Sequence, residues 1–103
     1  MPFAAVFAYD VDAESAEAFE AVYGAEGDWA RFFRSAEGFL GTELLRATEA
    51  GDHPWYLVVD RWRSAEAYER FRHDNEAEYA RRGHEAEHLY RDETVVGRFE
   101  TQR

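Results

Sequence analysis

The chain has 103 residues, and its 22 acidic side chains outnumber 12 basic ones, all arginine, for a formal charge of -10. That length suits one domain with a modest core, and that charge repels phosphate backbones and anionic lipid, so neither a nucleic-acid nor a membrane partner is expected. Cysteine is absent, which excludes disulfides and thiolate chemistry, no apolar run is long enough to span a bilayer, and "MPFAAVFAYDVDAE" offers no basic leader, so a single cytoplasmic domain over 1–103 is the expectation.

Residues 3–9, "FAAVFAY", read as a strand with Phe3, Ala5, Phe7 and Tyr9 on one side and Ala4, Val6 and Ala8 on the other. Neither side is polar. A helix follows over about 13–23, where Ala16, Phe19 and Val22/Tyr23 recur at helical spacing and acids occupy the first turn, the end the helix dipole favours for them. Gly24 and Gly27 interrupt it, and "DWARFFRS" reads as a short second helix with Asp28 as N-cap and Trp29 and Phe32/Phe33 as its packing side. "EGFLGTELLRATE" turns into a strand over about 39–48, and "AGDHP" is a turn. In "WYLVVDRW", 55–62, Trp55, Leu57 and Val59 face one way, and Tyr56, Val58 and Trp62 the other with Asp60 between the last two.

Ser64 caps a helix that carries Tyr68 and Phe71 inward, and a further helix over about 75–90 has Tyr79, Gly83, Ala86 and Tyr90 along one stripe. "ETVVGRFE" closes the chain as a strand in which Gly97 marks a bulge or a close backbone approach. The phrase "SAEAFE" at 15–20 returns as "SAEAYE" at 64–69, each time opening the helix after a hydrophobic strand. Two βαβ halves then form one four-stranded antiparallel sheet with helices on a single face, an α+β, ferredoxin-like βαββαβ arrangement. Helices cover one face only, whereas the first and third strands are apolar on both. At about 25 cal/mol per Å², several hundred square ångströms of bare apolar surface cost roughly 10 kcal/mol, so a second copy packed sheet against sheet is the expected cover.

Together "FEAVYGAEGDWARFF" (19–33), "EGFLGTELLR" (37–46), "YLVVDRWRSAEAYERF" (56–71) and "VVGRF" (95–99) resemble the antibiotic biosynthesis monooxygenase-like group of the dimeric α+β barrel superfamily. The resemblance implies a dimeric barrel with a pocket between sheet and helices in each subunit. It also implies a cofactor-independent monooxygenase, or a related enzyme, for a small aromatic or polyketide-like molecule, with no cofactor. The alternative is a non-catalytic dimeric domain that binds a small ligand or serves structurally. The haem-opening branch uses an Asn on the first strand, a Trp and a His. Here the only Asn is Asn75, and the Trp and His equivalents fall on Phe71 and Arg81, so haem degradation is not expected.

Pocket-lining candidates are Tyr9, Trp29, Phe33, Tyr56, Trp62, Tyr68, Phe71 and Tyr79, with core packing the plainer reading of each taken singly. Two side chains are catalytic candidates. A carboxylate at Asp60 facing the helices must find a donor or rise in pKa, as a general base would; a salt bridge to Arg46, Arg61 or Arg63, or solvent at the sheet edge, is the alternative. Arg46 can hold an anionic or phenolate oxygen, or pair with Glu43 or Glu49. "HEAEH" places His84, Glu85 and His88 in the zinc-protease pattern, but no third histidine follows and both imidazoles lie opposite the apolar stripe, toward water, so no metal is expected. His53, in a turn, and His73, on a surface helix face, are poor places for a held base.

Overall fold

A computed structural model describes residues 1–49 and 51–102. Its strands are β1 (Phe3–Asp10), β2 (Phe39–Arg46), β3 (Trp55–Trp62) and β4 (Asp92–Glu100). Its helices are α1 (Ala16–Tyr23), α2 (Asp28–Phe33), α3 (Ala65–Asp74) and α4 (Glu76–Ala86), with 3-10 turns over Ala13–Ser15 and Glu87–Leu89. The sheet order β2-β3-β1-β4, antiparallel throughout, is the ferredoxin-like one. Among the described residues no helix is long and apolar enough to cross a membrane.

Period-two alternation decides what is buried. Phe3, Ala5 and Tyr9 of β1 and Tyr56, Val58, Asp60 and Trp62 of β3 all point under the helices. Two aromatic cores form there. One gathers Tyr9, Phe19, Tyr23 and Tyr56 beneath α1, with Ala86 and Leu89 from the end of α4. The other gathers Phe3, Phe33, Trp62, Tyr68 and Phe71 beneath α2 and α3. Phe7 and Trp29 border both.

The opposite sheet face has no helix over it among the described residues. Leu45, Leu57, Ala8 and Thr94 lie side by side across its four strands, and Glu43, Val59, Val6 and Gly97 form the next row. Leu45, Trp55 and Phe99 on that face are 44%, 45% and 50% exposed.

The repeated phrase marks equivalent places in the topology without equal geometry. The Ser64 hydroxyl accepts a hydrogen bond from the Ala67 amide at 3.1 Å, an N-cap as expected. Ser15 makes no such bond, because the chain after β1 winds one 3-10 turn before α1 begins. At α2, Gly27 is the capping residue and Asp28 is the first helical one, where its carboxylate pairs with Arg31. The last helix is shorter than its periodicity predicts. It tightens to 3-10 geometry after Ala86, and Tyr90 is already extended.

Candidate functional site

A cleft of about 550 Å³ opens where the two cores meet. Phe7 and Tyr9 of β1, Val58 and Asp60 of β3, and Glu93 and Val95 of β4 form its floor. Tyr23, Trp29 and Phe33 make one wall, and Arg72, Tyr79 and Gly83 the other. Glu76, His84, Glu87 and Tyr90 complete its border. The gap exists because α4 shows small residues to the sheet along this stretch: a Cβ built on Gly83 meets nothing within 4 Å. Trp29 closes the wall through its ring contacts with Tyr23, Phe33 and Tyr79, at centroid distances of 6.3, 5.6 and 5.1 Å.

Asp60 is the buried acid of the site. It is 6% exposed, and the Thr42 hydroxyl donates to its Oδ1 at 2.6 Å. Burial pushes its carboxyl up to about 6, against the smaller opposing effect of the Thr42 hydrogen bond. A carboxyl poised there changes protonation state near neutral pH, which is what a general base requires. At another point of the floor the Tyr9 hydroxyl donates to Glu93 Oε2 at 2.5 Å. Burial, the neighbouring Tyr23 and the bond to Glu93 all push the Tyr9 phenol up, so it stays protonated and serves as a neutral donor. Burial likewise raises Tyr23 and Tyr79. The Arg72 guanidinium lies 4.2 Å from the centre of the Tyr79 ring.

Of the eight pocket candidates, Tyr9, Trp29, Phe33 and Tyr79 border the cleft. Tyr56, Trp62, Tyr68 and Phe71 lie in the two cores instead. Trp62 is fully buried, with its indole N–H lacking a partner, and Tyr56 donates to Glu20 at 2.6 Å. Asp60 faces the helices as its register predicts, but none of the three proposed arginines reaches it. Arg46 pairs with Glu20 at 3.2 Å, Arg61 with Glu43 at 3.3 Å and Arg63 with Glu37 at 3.6 Å. Arg46 also meets neither Glu43 nor Glu49: it stands opposite Tyr56, four residues along β2 from Thr42, about 13 Å from the acid at strand rise. The guanidinium in the cleft is that of Arg72.

The histidines of "HEAEH" do not converge. His84 Nδ1 stands 3.5 Å from Glu87, whereas His88 Nδ1 is 2.8 Å from the Glu85 carbonyl oxygen, beyond the point where the α-helix ends. Among the described residues no group of three His, Cys, Asp or Glu side chains could hold a metal ion. His84 is 83% exposed, toward water as expected, yet it stands at the cleft border. His53 and His73 are exposed beside Asp12 and Asp74.

Sequence reasoning missed Thr42, Arg72 and Glu93, two of them for one reason. A register shift between Phe39 and Gly41 places Leu40 as an extra residue in β2. Thr42 is thereby turned to the same side as Phe39, which strict alternation would forbid. A second shift, between Val6 and Phe7, leaves Val96 extra in β4 and turns Glu93 and Val95 into the cleft. Gly41 and Gly97 follow these bulges with φ of 142° and 154°. At Gly97 a Cβ would sit 3.2 Å from the Phe99 ring, so this glycine is both bulge residue and close approach. The glycines were the available signal.

The family model for antibiotic biosynthesis monooxygenase matches residues 2–86. Among solved structures, SnoaB, a cofactor-independent oxygenase from Streptomyces nogalater, is 24% identical over 99% of this chain and 94% of its own, with a TM-score of 0.68. MhuD, a haem degrader from Mycobacterium tuberculosis whose structure has two haems in its active site, is 26% identical over 96% of this chain and 94% of its own, with a TM-score of 0.68. Rv0793, also from Mycobacterium tuberculosis, is 16% identical over 100% and 97%, with a TM-score of 0.71. No curated protein matches the chain.

Proposed function

The chain belongs to the antibiotic biosynthesis monooxygenase family, and from that premise we propose that it is a cofactor-independent oxygenase for a flat phenolic or quinol-type molecule seated in the cleft, working as a homodimer joined through the bare sheet face. The observation that carries this reading is Asp60, a buried carboxylate on the floor of an aromatic-walled cavity, held by one hydroxyl and poised near neutral pH. Asp60 takes a proton from the substrate, leaving an electron-rich anion. That anion gives one electron to O₂, and the radical pair combines to form a C–O bond. The resulting peroxide anion takes the proton back from Asp60 and the hydroperoxide loses water, so that a phenol with an open ring position and O₂ become a quinone and H₂O. Tyr79, held neutral by burial, is a donor for the developing oxyanion.

Haem suits this cleft poorly. Asp60, Glu76, Glu87 and Glu93 face one guanidinium, Arg72, so a dianionic ligand meets the wrong charge. Phe71 is a core residue, and Arg81 is exposed and paired with Glu78 and Glu85.

The test is oxygen uptake with an anthrone or naphthoquinol panel, scored against the spontaneous rate and by incorporation of one ¹⁸O atom into product. Turnover that Asp60→Asn removes is expected. Saturable binding with no oxygen uptake would replace the oxygenase with a ligand-binding domain.

A further inference from the structure

The cleft gathers four carboxylates, Asp60, Glu76, Glu87 and Glu93, and none of them is held by an arginine among the described residues. Nine arginines hold a carboxylate among the described residues, from Arg31 with Asp28 to Arg98 with Glu69, and every one of those carboxylates lies outside the cleft. Inside it, Glu93 accepts from the Tyr9 phenol, Asp60 accepts from the Thr42 hydroxyl, and Glu87 has only the exposed His84 beside it. Glu76 has no hydrogen-bond or ion-pair partner among the described residues. Arg72, the one guanidinium among the described residues of the cleft, is spread over the Tyr79 ring and reaches the Tyr68 hydroxyl at 3.4 Å, so its charge is engaged on the α3–α4 side.

The uncompensated charge gathers with aromatic faces at one end. The Tyr9 and Tyr90 rings meet edge to face, 5.0 Å apart, and Tyr9 carries Glu93 on its hydroxyl. Glu87 and Glu93 line the cleft together with this ring pair, and, after burial, their negative charges push the Tyr90 phenol up. Asp60 marks the other end. It stands opposite Ala5 of β1, whereas Glu93 stands opposite Tyr9, four residues on, about 13 Å along the strand. The span between them suits two or three fused rings.

Resting on the reading of this cleft as a substrate site, we propose that the ligand is a hydroxylated aromatic whose far end carries a protonated amine, with the hydroxyl at Asp60 and the ammonium between Glu87 and Glu93 against the Tyr9 and Tyr90 rings. An ammonium there gains cation–π attraction and supplies positive charge beside carboxylates that no arginine holds. A carboxylate at the same end meets two carboxylates and no free cation. The cleft therefore sorts ligands by charge as well as by shape.

Three matched probes separate the alternatives: 6-(aminomethyl)-2-naphthol, 6-methyl-2-naphthol and 6-hydroxy-2-naphthoate, titrated calorimetrically into the intact protein at neutral pH. The aminomethyl compound is expected to bind about tenfold tighter than the methyl one, and the naphthoate more weakly than either. The advantage should shrink as salt is raised. Glu93→Gln and Glu87→Gln should each cut the affinity for the aminomethyl probe about threefold and leave that for the methyl probe within about twofold. Glu87 is exposed on a 3-10 turn, so its variant keeps the fold even if the Glu93 variant does not. Equal affinity for the methyl or the naphthoate probe overturns the charge selection while leaving the cleft as the site. No binding of any probe overturns both.

Discussion

Replacing Asp60 with Asn isolates the energetic cost of the buried acid. The carboxyl has an ordinary value of 3.8 and titrates at about 6 in the folded chain because burial disfavours its charge. A raised folded-state pKa means that the native state binds more protons than the unfolded state between those values. Stability from this group is therefore complete below pH 3.8 and is lost as the pH rises through about 6. The gap corresponds to about 3 kcal/mol, a substantial part of the 5–15 kcal/mol that holds a typical domain. Asn is nearly isosteric, cannot ionise and still offers an oxygen to the Thr42 hydroxyl. Urea unfolding of both proteins at one protein concentration across the pH range gives the difference curve. The variant should be about 2–3 kcal/mol more stable than the parent at pH 7.5, and the excess should fall toward zero near pH 4. A variant equally or less stable at pH 7.5, or a difference that does not vary with pH, would refute both the elevated pKa and the cost assigned to it. A gain in stability accompanied by loss of oxygen uptake would fit a side chain retained for chemistry.

Thr42→Val removes the hydrogen bond that favours ionised Asp60, so the acidic limb of any pH–activity profile should move upward by up to about one pH unit; an unmoved limb would separate that limb from Asp60. Trp62→Ala opens a cavity among Phe33, Phe39, Tyr68 and Phe71 and should cost about 3–5 kcal/mol in urea unfolding. Trp62→Phe keeps most of the ring surface and discards an indole N–H that has no partner, so it should stay within about 1.5 kcal/mol of the parent. Leu57→Asp places a charge in the middle of the bare sheet face and should bring the mass in light scattering down to 12.0 kDa; a parent that already runs at that mass, folded and soluble, would remove the homodimer.

Local chemistry in the sequence was enough for the order of the elements and for the buried sides of β1 and β3. The alternation of "WYLVVDRW" reproduces β3 to the residue and places Asp60 under the helices. Ser64 caps α3, and Tyr68 and Phe71 are buried, because helical periodicity and a side-chain cap act over only a few residues. The apolar second sides of β1 and β3 likewise foretold a sheet face that the helices leave uncovered. The partners of the cleft's acids were not legible. One extra residue at Leu40 and another at Val96 reverse which way the rest of each strand points, and only pairing across the sheet fixes where such a residue is absorbed. Thr42 reaches Asp60 and Glu93 reaches Tyr9 through those two reversals. The same holds for Trp62 and Tyr56, whose aromatic character suits a cavity wall and a core equally. The meeting of the two cores at Phe7 and Trp29, with Gly83 leaving room above, determined where the cavity opened.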